Sequence, residues 1–228
     1  EGEEPCKVQA PIVDVSTGYM AVIGILARLT ARHEPGFVGG HLDVNLLSCA
    51  VALQQPAVTS YFGEGKVPRK IGSAAPYSAP NEAFQTSDGW IMVAAYIGDR
   101  WARLCRVLDL PGLIEDPRLI ESSTRVANRG EMRAALAPAF RSKTTDDWVT
   151  LCKAKDILCA KVSDYDDLVE NEQIKHLGMI TEVESSAGDY AYSMPAFPIN
   201  SREESIRGYS APPGLGADND EILKRSDG

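Results

Sequence analysis

The 228-residue sequence predicts a mixed fold, either α+β or an irregular α/β class. Long segments with a helical spacing of apolar residues are bounded by capping residues, glycine and proline, which indicates several helices. Two pairs of short apolar runs are each joined by a few turn residues, which indicates β-hairpins. Helices and strands do not alternate strictly, so a regular doubly wound parallel sheet is not expected.

The first predicted helix follows Asp14 and runs to about Arg32, with Ser16 or Thr17 as its N-cap. Gly24 within it predicts close packing against a neighbour. Its apolar residues lie on nearly every side: Met20, Val22, Ile23, Ile25, Leu26 and Leu29. A helix that is apolar all round is normally buried, so we expect most of its surface to be covered.

The segment "HLDVNLL" predicts a short strand that leads into a helix over residues 46–62. Pro56 is expected to kink that helix, because proline lacks the backbone N–H that the helix ladder needs. The next segment, "GEGKVPRKIGSAAPYSAPN", is rich in glycine, proline and serine. It is expected to be a linker or a mobile flap beside an active site.

"EAFQTSDGWIMVAAY" predicts a hairpin that turns through residues 87–89, since Asp-Gly suits a tight turn. Asp99 is expected to cap the next helix, and "NRGEMRAALAPAF" predicts a further one. Thr144 and Asp147 resemble a capping box that starts another helix.

The last third of the sequence predicts one strand, two helices and a second hairpin. The strand covers residues 159–162. "SDYDDLVENEQIKHLGM" predicts a single capped helix that ends near Gly178. The hairpin turns through residues 186–188, and a last short helix begins at Asp218.

Composition narrows the classes of partner. The net charge of -9 argues against nucleic acid and anionic membranes, because both need a basic face. Five scattered cysteines without a Cys-x-x-Cys pair indicate reduced thiols, no structural zinc and a cytoplasmic location. The uncharged stretch 19–27 is shorter than a membrane span needs, and no signal peptide is expected.

Asp14 is the strongest candidate for chemistry. The free amides at a helix N-terminus favour a charged carboxylate by about 0.3–1 kcal/mol. An apolar helix behind it would exclude water, so the carboxylate could act as a nucleophile or base. On position alone, a plain capping or turn role is the commoner explanation of such an aspartate, and both alternatives stay open at this point.

Two other clusters are better explained by structure. Asp164, Asp166 and Asp167 lack the spacing of a calcium loop and are interpreted as the solvated start of a helix. The arginines and tryptophans of "DRWARL" and "PAFRSKTTDDW" are interpreted as parts of amphipathic helices rather than as a ligand site.

Six segments in order resemble the class III CoA-transferases, the CaiB/BaiF family. They are "PIVDVSTGYMAVIGILARLTAR", "HLDVNLL", "APNEAFQTSDGWIMVAA", "NRGEMRAALAPAFRSKTTDDWVTLC", "NEQIKHLGMI" and "APPGLGADNDEIL". The resemblance covers the downstream part of family members, so the N-terminal half of the fold is expected to be missing. It implies linking helices with part of a Rossmann-like large domain over 1–70, a small α+β domain over 71–180, and a return segment over 181–228.

The resemblance also implies a mechanism and a site. Asp14 maps onto the family's catalytic aspartate, which attacks an acyl-CoA thioester and passes through an anhydride and an aspartyl-CoA thioester. Leu46 aligns with a residue that touches CoA, and Gly72 with a glycine-rich loop that binds the oxyanion. The expected partners are an acyl-CoA, a small carboxylic acid and a second copy in an interlocked homodimer. Coenzyme A is a substrate here, and neither a cofactor nor a metal is expected.

Two alternatives accompany this interpretation. An acyl-CoA racemase or epimerase would use the same aspartate as an acid or base at the α-carbon, although "DVSTG" favours transfer. A non-catalytic fragment or interaction module would keep the small domain without binding CoA by itself.

Overall fold

The computed structural model describes residues 6–185, 190–199 and 209–225. The chain divides into two compact units, Glu1–Tyr77 (unit 1) and Ser78–Gly228 (unit 2). Helices and short antiparallel sheets mix without regular alternation. The predicted mixed class is therefore confirmed.

The described part of unit 1 contains three helices: α1 Ile12–Ala31, α2 Leu46–Leu53 and α3 Gln55–Glu64. The predicted kink at Pro56 is a complete break, with α2 ending at Leu53 and α3 starting anew at Gln55. Pro56 occupies the first turn of α3, where its missing N–H costs little.

The strand predicted in "HLDVNLL" is wrong, because residues 41–45 form no ladder. Asn45 does have an extended backbone, with φ -128° and ψ 156°, but it serves as the N-cap of α2. Its side-chain oxygen accepts a hydrogen bond from the Ser48 amide at 2.9 Å. An extended residue becomes a strand only when another strand pairs with it, and the described part of unit 1 has none.

The burial predicted for α1 is also wrong, since none of its residues is buried. Its apolar side chains keep roughly half of their surface exposed, for example 56% for Ile23. Among the described helices, α1 alone is long and apolar enough to cross a membrane by length and composition. Core helices of soluble proteins pass the same test, so this property by itself does not identify a membrane anchor.

Unit 2 is built on a three-stranded antiparallel sheet in the order β1-β2-β3. The strands are β1 Asn81–Gln85, β2 Trp90–Ala94 and β3 Leu158–Lys161, and the predicted first hairpin joins β1 to β2. Four helices accompany the sheet: α4 Arg100–Val107, α5 Ser122–Ala127, α6 Arg129–Phe140 and α7 Thr145–Lys153. Between α4 and α5, a short 3₁₀ turn covers Pro111–Leu113.

The core of unit 2 lies between one sheet face and these helices. Phe140 stacks on Phe84 at 4.6 Å and meets Trp148 edge-on at 5.5 Å between ring centroids. The fully buried side chains around them come from every layer: Ile91, Val93, Leu104, Met132, Leu136 and Cys152. The alternation along β2 and the spacing along α6 therefore place their apolar residues in one core.

Arginines hold the start of β1 in place. Arg125, 3% exposed, donates to the carbonyl oxygen of Ala79 at 2.7 Å. Glu82 is fully buried and forms ion pairs with Arg129, at 2.6 Å, and with Arg133. A buried carboxylate of this kind needs such partners because an unpaired buried charge is strongly unfavourable.

The turn of the first hairpin is joined to the start of α7. The Asp88 carboxylate accepts from the Thr145 amide at 2.8 Å and from its hydroxyl at 2.9 Å. Thr144 is the N-cap of α7, as predicted, and accepts from the Asp147 amide at 3.2 Å. Asp99 does occupy the N-cap position of α4, but its carboxylate bonds to Arg103 Nε at 2.9 Å instead of capping.

Beyond β3, the described residues of unit 2 form three short helices and a second sheet. They are α8 Tyr165–Glu170, α9 Glu172–His176, β4 Ile180–Glu184, β5 Ala191–Pro195 and α10 Asn219–Arg225. The single helix predicted up to Gly178 is in fact two, because Asn171 is extended and its side chain caps α9. The second hairpin is confirmed by the β4–β5 pairing, while its predicted turn at 186–188 lies outside the described residues.

Candidate active site

Asp14 lies within the first turn of α1, two residues after the helix begins at Ile12. The prediction that it precedes the helix, with Ser16 or Thr17 as the cap, is wrong. The Ser16 and Thr17 hydroxyls instead donate back to the Val13 carbonyl oxygen at 3.0 and 2.7 Å. Pro11 occupies the N-cap position, and its fixed φ is compatible with an early helix start.

This position leaves the Asp14 carboxylate exposed beside the N-terminal amides of a 20-residue helix. Among the described residues, its side chain forms no hydrogen bond or ion pair that would hold it in a capping role. The helix dipole favours a negative charge there. The carboxylate is therefore available to react, although nothing described here shields it from water.

A cleft of ≈ 440 Å³ lies between α1 and the start of α2. Its walls are partly polar and partly apolar: Ser16, Met20, Asp43, Val44, Asn45, Ser48, Cys49, Ala52 and Leu53. Cys49 is the single buried residue in the described part of unit 1. The volume lies in the range of small-molecule pockets.

The three predicted site residues do not meet in this cleft. Asp14 precedes Ser16 by two positions, about 160° around the helix axis, so it lies away from the lining face. Leu46 is the first residue of α2 and is 52% exposed, outside the lining. Gly72 lies in an exposed turn with φ +65°, a conformation that favours glycine.

The cleft was not predicted from the sequence. Its polar residues are spaced Asp43-x-Asn45-x-x-Ser48, directly before and within α2. Asn followed by an apolar run is a recognisable N-cap signal, and it could have placed the helix start and its polar rim. The contact with Ser16 and Met20 depends on tertiary packing and has no local signal.

The described residues contain no group of three or more histidine, cysteine or acidic side chains that could hold a metal. The acidic residues at the N-terminus of α8 form the start of a helix, as expected from the sequence. Asp164 caps α8 by accepting from the Asp167 amide at 3.0 Å. The Lys161 ammonium holds the pKa of Asp167 below its usual value, so this carboxylate is committed to an ion pair.

The five cysteines, all within described segments, are free thiols. Burial raises the pKa of Cys105 and that of Cys152 to about 12, so neither can supply a thiolate near neutral pH. Their role is packing in the core of unit 2.

Residues 1–219 match the family model of CoA-transferase family III. The chain belongs to this family. The resemblance of the six segments is thereby confirmed, and the mixed architecture is the one found in solved structures related to it.

Similarity to named CoA-transferases and to a solved structure agrees with the match to the family model. Succinyl-CoA:glutarate CoA-transferase of Homo sapiens is 28% identical over 98% of this chain and 51% of its own length. Succinyl-CoA:mesaconate CoA-transferase of Haloarcula hispanica is 26% identical, over 87% and 49%. The crystal structure of Rv3272 from M. tuberculosis superposes with a TM-score of 0.79 at 26% identity, over 95% of this chain and 57% of that one. The chain thus spans about half the length of the curated relatives it matches.

Proposed function

We propose that this family III chain carries the nucleophile of a CoA-transferase, and that the nucleophile is Asp14. The observation that carries the proposal is the family match over residues 1–219, which includes the Asp14 turn and the whole of α1. The exposed carboxylate at the N-terminus of an apolar helix supports it.

In the proposed reaction, all covalent steps take place between the Asp14 carboxylate and the substrates. An Asp14 oxygen attacks the thioester carbonyl carbon, the C–S bond breaks, and CoA leaves as its thiolate with a mixed anhydride on the protein. The thiolate then attacks the aspartyl carbonyl, which releases the donor acid and leaves an aspartyl-CoA thioester. The acceptor carboxylate repeats both steps in reverse, so the new acyl-CoA departs and the Asp14 carboxylate is restored.

This chemistry needs protection from water, because anhydrides and thioesters hydrolyse and a hydrated carboxylate is a weak nucleophile. Asp14 and the apolar surface of α1 are exposed, and the chain spans about half of its relatives' length. We therefore infer that a second polypeptide region, equivalent to the upstream half of the family fold, covers α1 in the active form. In that form Leu46 would contact CoA and the Gly72 amide would bind the oxyanion.

The substrates proposed first are succinyl-CoA and a short dicarboxylic acid. Two relatives are named for glutarate and mesaconate, and a third, from Acetobacter aceti, for oxalate. The proposal includes a homodimer in the cytoplasm, with no metal, no cofactor, and no nucleic acid or membrane as partner.

The test is to incubate the full chain with succinyl-CoA, alone and together with the upstream half of a family III relative. We expect an aspartyl-CoA adduct in the intact mass and transfer to glutarate, both lost in Asp14→Asn by at least about 10³-fold. Glu34→Gln is the matched control, since it changes an exposed carboxylate of the same unit outside the cleft.

Each outcome has a defined meaning. Transfer retained by Asp14→Asn would refute the nucleophile. An adduct that needs the supplied half supports the complementation inference, whereas an adduct on the chain alone refutes that inference and keeps the nucleophile. No adduct in either condition would favour the non-catalytic interaction module.

A further inference from the structure

A second cavity lies wholly within unit 2, between α4 and the C-terminal end of α7. It has a volume of ≈ 710 Å³, within the range of pockets that hold nucleotide-sized ligands. Its lining has an apolar part, which we call the apolar floor, and a charged part: Val107, Leu151 and Ala154 are apolar, and Arg103, Arg106, Lys155 and Asp156 are charged. We call this cavity the α4–α7 groove.

The positive side chains of the groove come together from two helices. Arg103 and Arg106 are three positions apart on α4 and share one face, while Lys155 follows the end of α7. This cluster is positive in a chain whose net charge is -9. A local excess of the opposite sign attracts anions that the rest of the surface repels.

The negative groups of the groove are already neutralised by other contacts. The Asp156 carboxylate accepts from Arg100 Nη2 at 3.2 Å and from Arg103 Nη1 at 3.1 Å. Two backbone carbonyl oxygens just after the end of α7, which would also repel an anion, accept from the same arginines: Lys155 from Arg103 and Asp156 from Arg100. The carboxylate of the groove and these two carbonyl oxygens are therefore occupied by contacts within the protein.

Two cations remain without a partner after this pairing. Among the described residues, the side chains of Arg106 and Lys155 form no hydrogen bond or ion pair, and both are exposed at the groove. Arg103 is held by Asp99, Asp156 and the Lys155 carbonyl, so its charge is already balanced within the protein. The unpaired Arg106 and Lys155 side chains therefore supply the positive charge that a phosphate group needs.

The apolar floor limits the class of ligand further. Leu151 is 40% exposed and lies beside Val107 and Ala154, which leaves a hydrophobic surface next to the cations. Inorganic phosphate would not use that surface, whereas a ring attached to a phosphate would cover it. We propose that the α4–α7 groove binds a nucleoside phosphate, with the phosphates at Arg106 and Lys155 and the base against Leu151.

This site is independent of the proposed Asp14 chemistry. The nucleoside phosphate has two possible sources, a free nucleotide or the ADP portion of coenzyme A. Titration of the full chain with ADP, coenzyme A and pyrophosphate separates them. If Arg106→Ala with Lys155→Ala weakens ADP but leaves coenzyme A binding unchanged, the groove is assigned to a free nucleotide. If the same pair also weakens coenzyme A binding, the groove is assigned to the ADP portion of coenzyme A.

The variants test each part of the site. Arg106→Ala with Lys155→Ala should weaken ADP at least 10-fold and reduce the dependence of its affinity on salt. The matched control is Arg141→Ala with Lys175→Ala, which also removes one arginine and one lysine, both outside the groove. This control should change ADP affinity less than twofold. Leu151→Gln should weaken ADP about fivefold and leave pyrophosphate unchanged.

Three results would overturn the proposal: no ADP binding at millimolar concentration, equal weakening by the groove and control pairs, or pyrophosphate binding as tight as ADP binding with no effect of Leu151→Gln. Circular dichroism of each variant, with a thermal melt, keeps a loss of folding distinct from a loss of binding. If the groove pair unfolds, Lys155→Gln alone is expected to weaken ADP about threefold, and an unchanged affinity would refute the site.

Discussion

The two units of the chain contain similar apolar segments but bury them very differently. In unit 2, apolar residues from β1, β2, α4, α6 and α7 converge on one core around Phe140 and Trp148. In the described part of unit 1, Cys49 alone is buried, while the apolar residues of α1 remain about half exposed. Unit 2 therefore has the packing of an independent domain. In contrast, α1 of unit 1 exposes apolar side chains of the kind that a domain interior normally covers.

The largest expected effect on stability comes from comparing a buried residue of unit 2 with an exposed residue of unit 1. Phe140→Ala should lower the free energy of unfolding of unit 2 by about 3–5 kcal/mol, because it opens a cavity between Phe84 and Trp148. Ile23→Ala, at a position 56% exposed in α1, should change stability by less than about 0.5 kcal/mol. All three tryptophans lie in unit 2, so tryptophan fluorescence in urea reports that unit directly.

The same two variants also test whether another polypeptide region packs on α1. If the upstream half of the fold packs on α1, Ile23→Ala should weaken association with that half while leaving the fluorescence transition of unit 2 unchanged. A shift of that transition by Ile23→Ala would show that the two units are not energetically separate.

A second test compares a buried carboxylate with an exposed one. Glu82→Gln leaves Arg129 and Arg133 without their counter-charge and should cost about 3 kcal/mol. Glu64→Gln breaks an exposed pair with Lys66 at 3.6 Å and should cost less than about 0.5 kcal/mol. Similar urea midpoints for the two variants would contradict the claim that burial sets the difference.

The smallest expected effect concerns pH and the turn of the first hairpin. Hydrogen bonds from the Thr145 amide and hydroxyl hold the pKa of Asp88 below its ordinary value of 3.8. The contribution of Asp88 to the free energy of unfolding is therefore complete at pH values above 3.8. It is lost as the pH falls toward the lower pKa of the folded state.

Asp88→Asn should remove part of this acid sensitivity, measured as the urea midpoint between pH 6 and pH 3. Thr145→Ser keeps both donors and serves as the control, so its pH profile should match that of the unchanged chain. Identical profiles for all three proteins would show that this turn does not contribute.

The sequence predicted those elements whose signals are local. Asp88 and Gly89 mark a turn, and Thr144 supplies a cap oxygen three residues before its donor, so the first hairpin and the start of α7 were predicted correctly. Pro56 also marked the place of a helix irregularity, although the structure has two helices there instead of the predicted single kinked helix. Asp14 could be selected as a candidate, but its position inside α1 could not, because Pro11 starts the helix earlier than the hydroxyl residues predict.

The errors concern features that depend on distant partners. The apolar pattern of α1 indicates that the helix needs burial, but it does not say which polypeptide region supplies it. Asn45 has strand-like dihedrals without a strand to pair with. The unit 1 cleft requires Ser16 to meet Ser48, and the α4–α7 groove requires Arg106 to meet Lys155, so neither appears in any short window of sequence.

The bond between Asp88 and Thr145 joins residues that are 57 positions apart, and β3 completes the sheet later still. A ribosome therefore releases the first hairpin long before the chain that stabilises it has emerged. Until then the apolar side of that hairpin, including Phe84 and Ile91, which are buried in the folded chain, is open to solvent or to a chaperone. A translational pause placed far enough beyond residue 161 for β3 to leave the ribosomal exit tunnel would allow the three-stranded sheet to close before translation continues. A pause before residue 145 would instead prolong the interval in which the nascent chain can aggregate.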